Sequence, residues 1–272
     1  MGLYVETRIR ADMETVWRRT QDPSRHQRWD LRFTEIAPLP DVPGRPRRFR
    51  YATRVLPFLT VAGTGVSAGE CHRAGGERVS ALRFASPDPL SLLAEGSGYW
   101  RYVPTPDGVR FLTGYDYRPR WGRFGATADR LVFRPLMGWA TAWSFDRLRL
   151  WCEQGVSPAR SLVHALAELA VRILAVTVAV LACLWAVCPV AVAEAVTLGG
   201  TAGTVPAGAE PPGGAAGPLA GLTGLTGLGA AALAAVALLA PPSPRTPAAR
   251  RCRRTPPART AAPAVLATLE HP

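Results

Sequence analysis

Lysine and asparagine are absent from the 272 residues, so all 32 basic side chains are arginine, against 20 Asp and Glu, for a net charge of +12. A charge of that size ordinarily points to nucleic acid. The complete exclusion of lysine, with 26 Gly, 26 Pro and abundant Ala, is instead what codon bias in a GC-rich genome produces. No recognition helix, zinc-finger spacing or basic-aromatic motif accompanies the arginines. Nucleic acid is therefore not expected as a partner.

Paired cysteines are lacking too. Cys71, Cys152, Cys183, Cys188 and Cys252 form no CxxC, and none stands at ligand spacing from His26, His72, His164 or His271. This excludes a zinc site or disulfide framework as the organising principle and fits a reducing compartment. No metal and no cofactor is implied. Gly63-Thr64-Gly65 with Gly69 misses the dinucleotide pattern GxGxxG and lies among strands. Residues 1–10 have no apolar core of signal-peptide length, because Glu6 and the arginines interrupt them.

Aromatic residues are scarce in one half only. Every Tyr and Phe, and every Trp except Trp185, lies before residue 160. An aromatic-rich half can build a packed core, whereas an Ala/Gly/Pro half generally cannot. The chain is therefore divided near residue 160, giving a domain over 1–160.

The second half holds two uncharged runs. From Ile173 to Ala193 there are 21 residues without a charge, about 31 Å as a helix and close to the ~30 Å hydrocarbon thickness. A transmembrane segment is expected over 161–193, with Glu168 and Arg172 four residues apart at its mouth. The run 215–240 is long enough to span but rich in Ala and Gly, with Gly217, Gly221, Gly224 and Gly227 in a small-residue stripe. Residues 194–214 read as a Gly/Pro-rich loop, and 241–272 as a disordered Arg/Pro-rich tail. Its six arginines assign the tail to the cytoplasm, together with the basic N-terminal domain. Two spans satisfy both assignments, and the arginines can also meet anionic membrane lipids.

Within 1–160 the pattern is a strand over Leu3–Arg10, a helix capped by Asp12 with Met13, Val16 and Trp17 at helical spacing, and a second helix from Asp22-Pro23 to Trp29-Asp30. Strands follow around 33–39, 47–56, 59–67, 78–85, 98–103 and 109–117, with a turn at Thr105-Pro106-Asp107-Gly108. Helical spacing returns at Phe124, breaks near Pro135, and ends in a helix over 136–153. On that helix Leu136, Ala140, Trp143, Leu150 and Trp151 fall on one side, with Asp146, Arg149 and Glu153 opposite or flanking. The fold class is α+β: seven antiparallel strands whose concave face buries a long C-terminal helix, followed by one or two transmembrane helices.

Three stretches carry a family resemblance. IRADMETVWRRTQDPSRHQRWD (9–30) resembles the opening of the START-like (SRPBCC) superfamily, with Val16-Trp17, Asp22-Pro23 and Trp29-Asp30 as its marks. GYWRYVPTPDGVRFLTGYDY (98–117) is similar to its paired strands, and LVFRPLMGWATAWSFDRLRLW (131–151) to its C-terminal grip helix. The resemblance covers about residues 3–155. It implies a helix-grip domain, and a cavity between sheet and helix that holds an apolar or aromatic small molecule. Members include polyketide cyclases, aromatases and lipid-transfer proteins, so the fold names no substrate.

Strand alternation supplies the cavity wall. Val109, Phe111, Thr113, Tyr115 and Tyr117 share a face, Leu82 and Phe84 point inward, and Trp100 and Tyr102 oppose Arg101. The expected ligand-binding residues are Trp29, Phe84, Trp100, Tyr102, Phe111, Tyr115, Tyr117, Trp143 and Arg147. Arg147 interrupts the apolar side of the last helix and needs a partner there. That partner is a ligand carboxylate or enolate, a sheet carboxylate such as Glu35, or solvent at the rim. His26 reads as surface or structural. The leading reading is a non-enzymatic, membrane-tethered binder or carrier of a lipid, quinone, isoprenoid or polyketide-like molecule. The alternatives are a cyclase/dehydratase using Tyr hydroxyls and Arg147, and a membrane scaffold with a vestigial cavity. No catalytic set stands out.

Overall fold

The computed structural model describes residues 2–56, 58–72, 75–199, 217–256 and 263–264. They fall into two units: residues 1–163 with 244–272, and residues 164–243.

The first unit opens with β1 (Leu3–Ile9), α1 (Met13–Gln21) and α2 (Pro23–Trp29). Both helices start where the sequence places a cap. Asp12 Oδ1 accepts from the Thr15 N–H at 2.7 Å, and Asp22 Oδ1 from the Ser24 N–H at 2.9 Å, with Pro23 in the first turn. Six strands follow: β2 (Glu35–Pro38), β3 (Arg47–Leu56), β4 (Leu59–His72), β5 (Arg78–Ala85), β6 (Leu93–Thr105) and β7 (Gly108–Pro119). They form one antiparallel sheet in the order β1-β7-β6-β5-β4-β3-β2. Gly108 sits at φ 143°, and a Cβ there would strike the Ile9 carbonyl oxygen, so this turn position is closed to other residues.

The chain then turns through α3 (Gly122–Ala128), one π turn (Asp129–Phe133) and α4 (Arg134–Gln154). The break expected near Pro135 is this π turn. Proline enters in the first turn of α4, where its missing N–H does least harm. α4 lies on the concave face. Gly138 meets Leu3 of β1, Phe145 stacks on Phe111 at 4.5 Å, and the Tyr115 hydroxyl is 3.4 Å from that of Thr141. At its far end Trp151 receives the guanidinium groups of Arg19 and Arg28 at 4.5 and 5.2 Å, tying α1 and α2 to α4.

Two expectations for this helix are corrected. Leu136 is 55% exposed, because it lies in the first turn, ahead of the point where Gly138 reaches the sheet. Asp146, expected outward, is fully buried. Its cover is the C-terminal segment that composition assigned to a disordered tail. Residues 244–256 lie in the first unit as an ordered strap with a short helical turn at Ala249–Arg251. Asp146 Oδ2 accepts from the Ala248 N–H at 2.8 Å and from Arg251 at 3.0 Å, and Cys252 Sγ is 3.2 Å from the Ala142 carbonyl. Glu6 and Arg253 exchange both main-chain bonds, at 2.8 and 2.9 Å, across the free edge of β1.

The second unit holds most of α5 (Pro158–Gly199) and all of α6 (Gly217–Leu239). Among the described residues, Pro158–Trp185 of α5 is long and apolar enough to cross a membrane, with a mean hydropathy of 2.2. α5 passes Pro189 and runs six residues beyond Ala193, to Gly199, since the Glu-Ala-Val-Thr-Leu that follows continues a helix. The rest of the expected 194–214 loop, and residues 257–262 and 265–272 of the tail, lie outside the described residues. Arg172 pairs with Glu168 at 2.6 Å and donates to the carbonyls of Ala237 and Ala240 at 2.8 and 2.9 Å, capping α6 with positive charge. Glu168 in turn accepts from the Ser243 N–H at 3.1 Å.

Candidate functional site

The concave face has two unlike halves. Over β6 and β7 it is filled. Tyr102 and Phe111 are fully buried, and Trp29 is enclosed by Trp100, Phe145 and the stacked ring of His26. The Tyr102 hydroxyl bonds Thr20 Oγ1 at 2.7 Å and Gln21 Nε2 at 2.9 Å, while Trp29 Nε1 donates to the Arg19 carbonyl at 2.9 Å. These rings are core. The Tyr102 hydroxyl and the Trp29 indole are both satisfied by α1.

Over β3–β5 the same face is built of glycines and rings. Gly63, Gly65 and Gly96 point no side chain inward, and Tyr51, Phe49 and Phe84 respectively lie across them so closely that a Cβ would collide with each ring. Phe49 and Phe84 remain half-buried although they face the helix side, as does Phe33. Phe33, Tyr51 and Phe84 follow one another edge to face, at centroid distances of 5.8 and 6.4 Å. Burial pushes the Tyr51 hydroxyl up to about 12, so it stays a neutral hydrogen-bonding group.

Between the halves stands a buried charge cluster. Asp30, at the end of α2, accepts two bonds from Arg32 (Nε 2.9 Å, Nη2 2.6 Å) and faces His26 Nε2 at 3.0 Å. Burial alone would raise the Asp30 carboxyl, but the Arg32 charge and the bonds from Arg32 and His26 outweigh it and hold it well below the usual carboxylate range. Burial lowers His26, more than Asp30 raises it, so the imidazole is neutral. The ring of His26 packs edge-on against Trp100 at 4.8 Å, and Arg32 lies over Phe33 and Tyr115 at 5.5 Å. His26 is thus no surface residue: its side chain is 11% exposed.

The nine expected site residues therefore separate. Trp29, Trp100, Tyr102 and Phe111 pack the closed half, and Phe84 belongs to the open one. Tyr115 borders the charge cluster. Tyr117 gives its hydroxyl to the buried Asp129 at 2.5 Å, fixing the π turn, and is raised by burial and by that carboxylate. Trp143 stacks on Trp139 at 6.2 Å and carries Arg147 over its ring at 5.0 Å. Arg147 meets neither Glu35 nor solvent. Its amino groups donate to the carbonyls of Trp29 (3.2 Å) and Pro158 (2.8 Å), bracing α4 to the ends of α2 and α5. Burial lowers it to about 10, against the raising effect of Asp30.

Sequence reasoning missed Phe33, Phe49, Tyr51 and the partnership of His26, Asp30 and Arg32. The signals were present: His26 and Asp30 are one helical turn apart, and the alternate glycines of 63–65 and 96–98 mark strands over which rings can lie flat.

Strand order and the seat of α4 decide the architecture. The chain has the helix-grip, START-like fold. Among solved structures, the chain is similar to a STAR-related lipid transfer protein fragment from Xanthomonas axonopodis (18% identity, 54% of this chain, 82% of that one, TM-score 0.42). It is also similar to the di-domain ARO/CYC StfQ of the steffimycin biosynthetic pathway (13% identity, 56% and 50%, TM-score 0.44). No family model matches. The uncharacterized membrane protein YndG of Bacillus subtilis (strain 168) is 48% identical over 165 residues, which are 60% of this chain. The match spans 62% of that relative's length.

Proposed function

We propose that the protein is a membrane-tethered binder or carrier of a hydrophobic small molecule, held in the open half of the grip domain. The observation that carries this reading is the half-buried ring wall of Phe33, Phe49 and Phe84, the last two lying over strand glycines. A soluble core would fill such a face. The ligand is flat or chain-like, with few polar groups, because the lining offers mainly ring faces, the Tyr51 hydroxyl and the edge of the Arg32–Asp30 pair. The membrane end of the chain favours lipids, quinones or isoprenoids, which partition there. Both the domain and the strap belong in the cytoplasm by the excess of arginine.

The test is displacement of a polarity-sensitive dye from the full chain by a panel of lipids, isoprenoids and polyketide-like aromatics. Saturable displacement by one class, lost in Phe84→Arg, supports the proposal; a chain that binds neither dye nor panel overturns it. A second reading, an enzyme of the cyclase type, is favoured by one feature: the neutral imidazole of His26 held on Asp30 beside the ring wall. Under it His26→Gln keeps binding and stops turnover of a bound aromatic substrate.

A further inference from the structure

The end of the grip domain where β7 leaves the sheet exposes a run of large apolar side chains. Trp121 is 45% exposed, Phe124 74%, Leu131 66%, Val132 63%, Leu136 55% and Trp139 45%. They come from α3, the π turn and the first turns of α4, and Val132, Leu136 and Trp139 are spaced as one helical face. The Trp121 indole donates to the Pro89 carbonyl at 3.0 Å, joining this run to the β5–β6 turn at the same end of the sheet. The β3–β4 turn at that end carries Phe58, 86% exposed.

The backbone at the start of the run is strained. Trp121 has φ 65°, the one positive φ outside glycine among the described residues. Gly125 lies so close to the Arg120 carbonyl oxygen that no Cβ fits. A bulky residue held in that region costs stability and persists where the surroundings require it.

Within the run itself the charge is mainly of one sign, while the adjoining β5–β6 turn carries Asp88 and the start of β6 carries Glu95, paired to Arg118. Residues 119–139 hold four arginines, Arg120, Arg123, Arg130 and Arg134, and one carboxylate, Asp129. Asp129 is buried and already bonded to Tyr117 and Arg134. Arg123 and Arg130 are exposed among the apolar side chains. Tryptophan, phenylalanine and leucine interleaved with arginine suit one partner: the interfacial layer of a bilayer carrying anionic headgroups.

We propose that this end of the domain docks on the surface of an anionic membrane, with Trp121, Phe124, Val132 and Leu136 entering the headgroup layer and Arg123 and Arg130 meeting lipid phosphates. The surface is separate from the ring wall, so it stands whether or not a ligand is found there.

The test uses the full chain with the photo-reactive residue benzoylphenylalanine at position 124, in vesicles of phosphatidylcholine with phosphatidylglycerol. The control carries the same residue at Val42, which is 51% exposed in the β2–β3 turn at the opposite end of the sheet. Docking predicts covalent lipid adducts at position 124 and none at 42. Adduct yield falls by roughly an order of magnitude with Arg123→Gln and Arg130→Gln together, or in phosphatidylcholine alone. A melting curve matching that of the unmodified chain establishes that the labelled forms are folded. Adducts at 124 to a second copy, or to residues 164–243, overturn the proposal, as does equal labelling at 42 and 124.

Discussion

Arg251 donates to the carboxylate of Asp146 at 3.0 Å, across 105 residues of chain that include the whole apolar unit. Asp146 is fully buried on α4, and its other partners are Arg149 at 2.7 Å and the Ala248 N–H at 2.8 Å. The grip helix is therefore closed on its outer side by the strap of residues 244–256. Arg251→Ala is expected to cost about 2 kcal/mol, as loss of a charge-assisted bond to a buried carboxylate. In a thermal melt that is a fall of roughly 4–8 °C. A fragment ending at residue 160 loses the whole strap and is expected to melt lower still, or not to fold.

The strap also constrains topology. Residues 1–163 and 244–272 belong to one folded unit, so residues 164–243 begin and end on one side of any membrane they enter. An even number of crossings follows. Cysteines placed at Gly203 and at Arg254 in a cysteine-free background are expected to react with an impermeant reagent from opposite sides. Labelling of both from the same side of intact cells contradicts the two-span reading.

Asp30 holds the buried cluster together, accepting from Arg32 and facing His26. Asp30→Asn leaves Arg32 buried with half its partner gone and is expected to cost about 3–5 kcal/mol. The wild-type cluster also predicts acid sensitivity. Unfolded, His26 takes up its proton near 6.5 and Asp30 near 3.8, whereas the folded chain depresses both. As pH falls the unfolded state binds more protons, so stability declines first below 6.5 and again below 3.8. Denaturant melts across this range check it, and His26→Gln removes the first decline. A stability that rises between pH 7 and 5 contradicts the assignment.

The two halves of the concave face are expected to respond differently to truncation. Phe111→Ala empties a closed core position and is expected to cost about 3–5 kcal/mol. Phe84→Ala removes a half-buried ring, with a smaller loss of stability and a loss of dye binding. Melting and binding measured on the same two variants separate them.

How much of this was legible depended on whether the signal was local. Alternation fixed the strands, and Asp12, Asp22-Pro23 and Thr105–Gly108 fixed caps and turns, because each acts within a few residues. The strap was not legible. Its Ala/Arg/Pro composition reads as disorder, and what orders it is a buried acid on another element, Asp146, which helical periodicity had turned outward. Arg147 was rightly marked as needing a partner, but its partners are backbone carbonyls, which sequence does not display. The ring wall went half unseen because Phe49 and Tyr51 sit among the arginines of β3, where the basic texture hides the alternation. Their seats, Gly63 and Gly65, become meaningful only once β3 and β4 are in register.

The measurement closest to the central claim is native mass spectrometry of the full chain, released from a lipid-containing host in mild detergent, beside Phe84→Arg. A stoichiometric apolar adduct is expected on the wild type, and none on a variant that still melts cooperatively. A clean apo mass for both, or an adduct that survives Phe84→Arg unchanged, contradicts that claim.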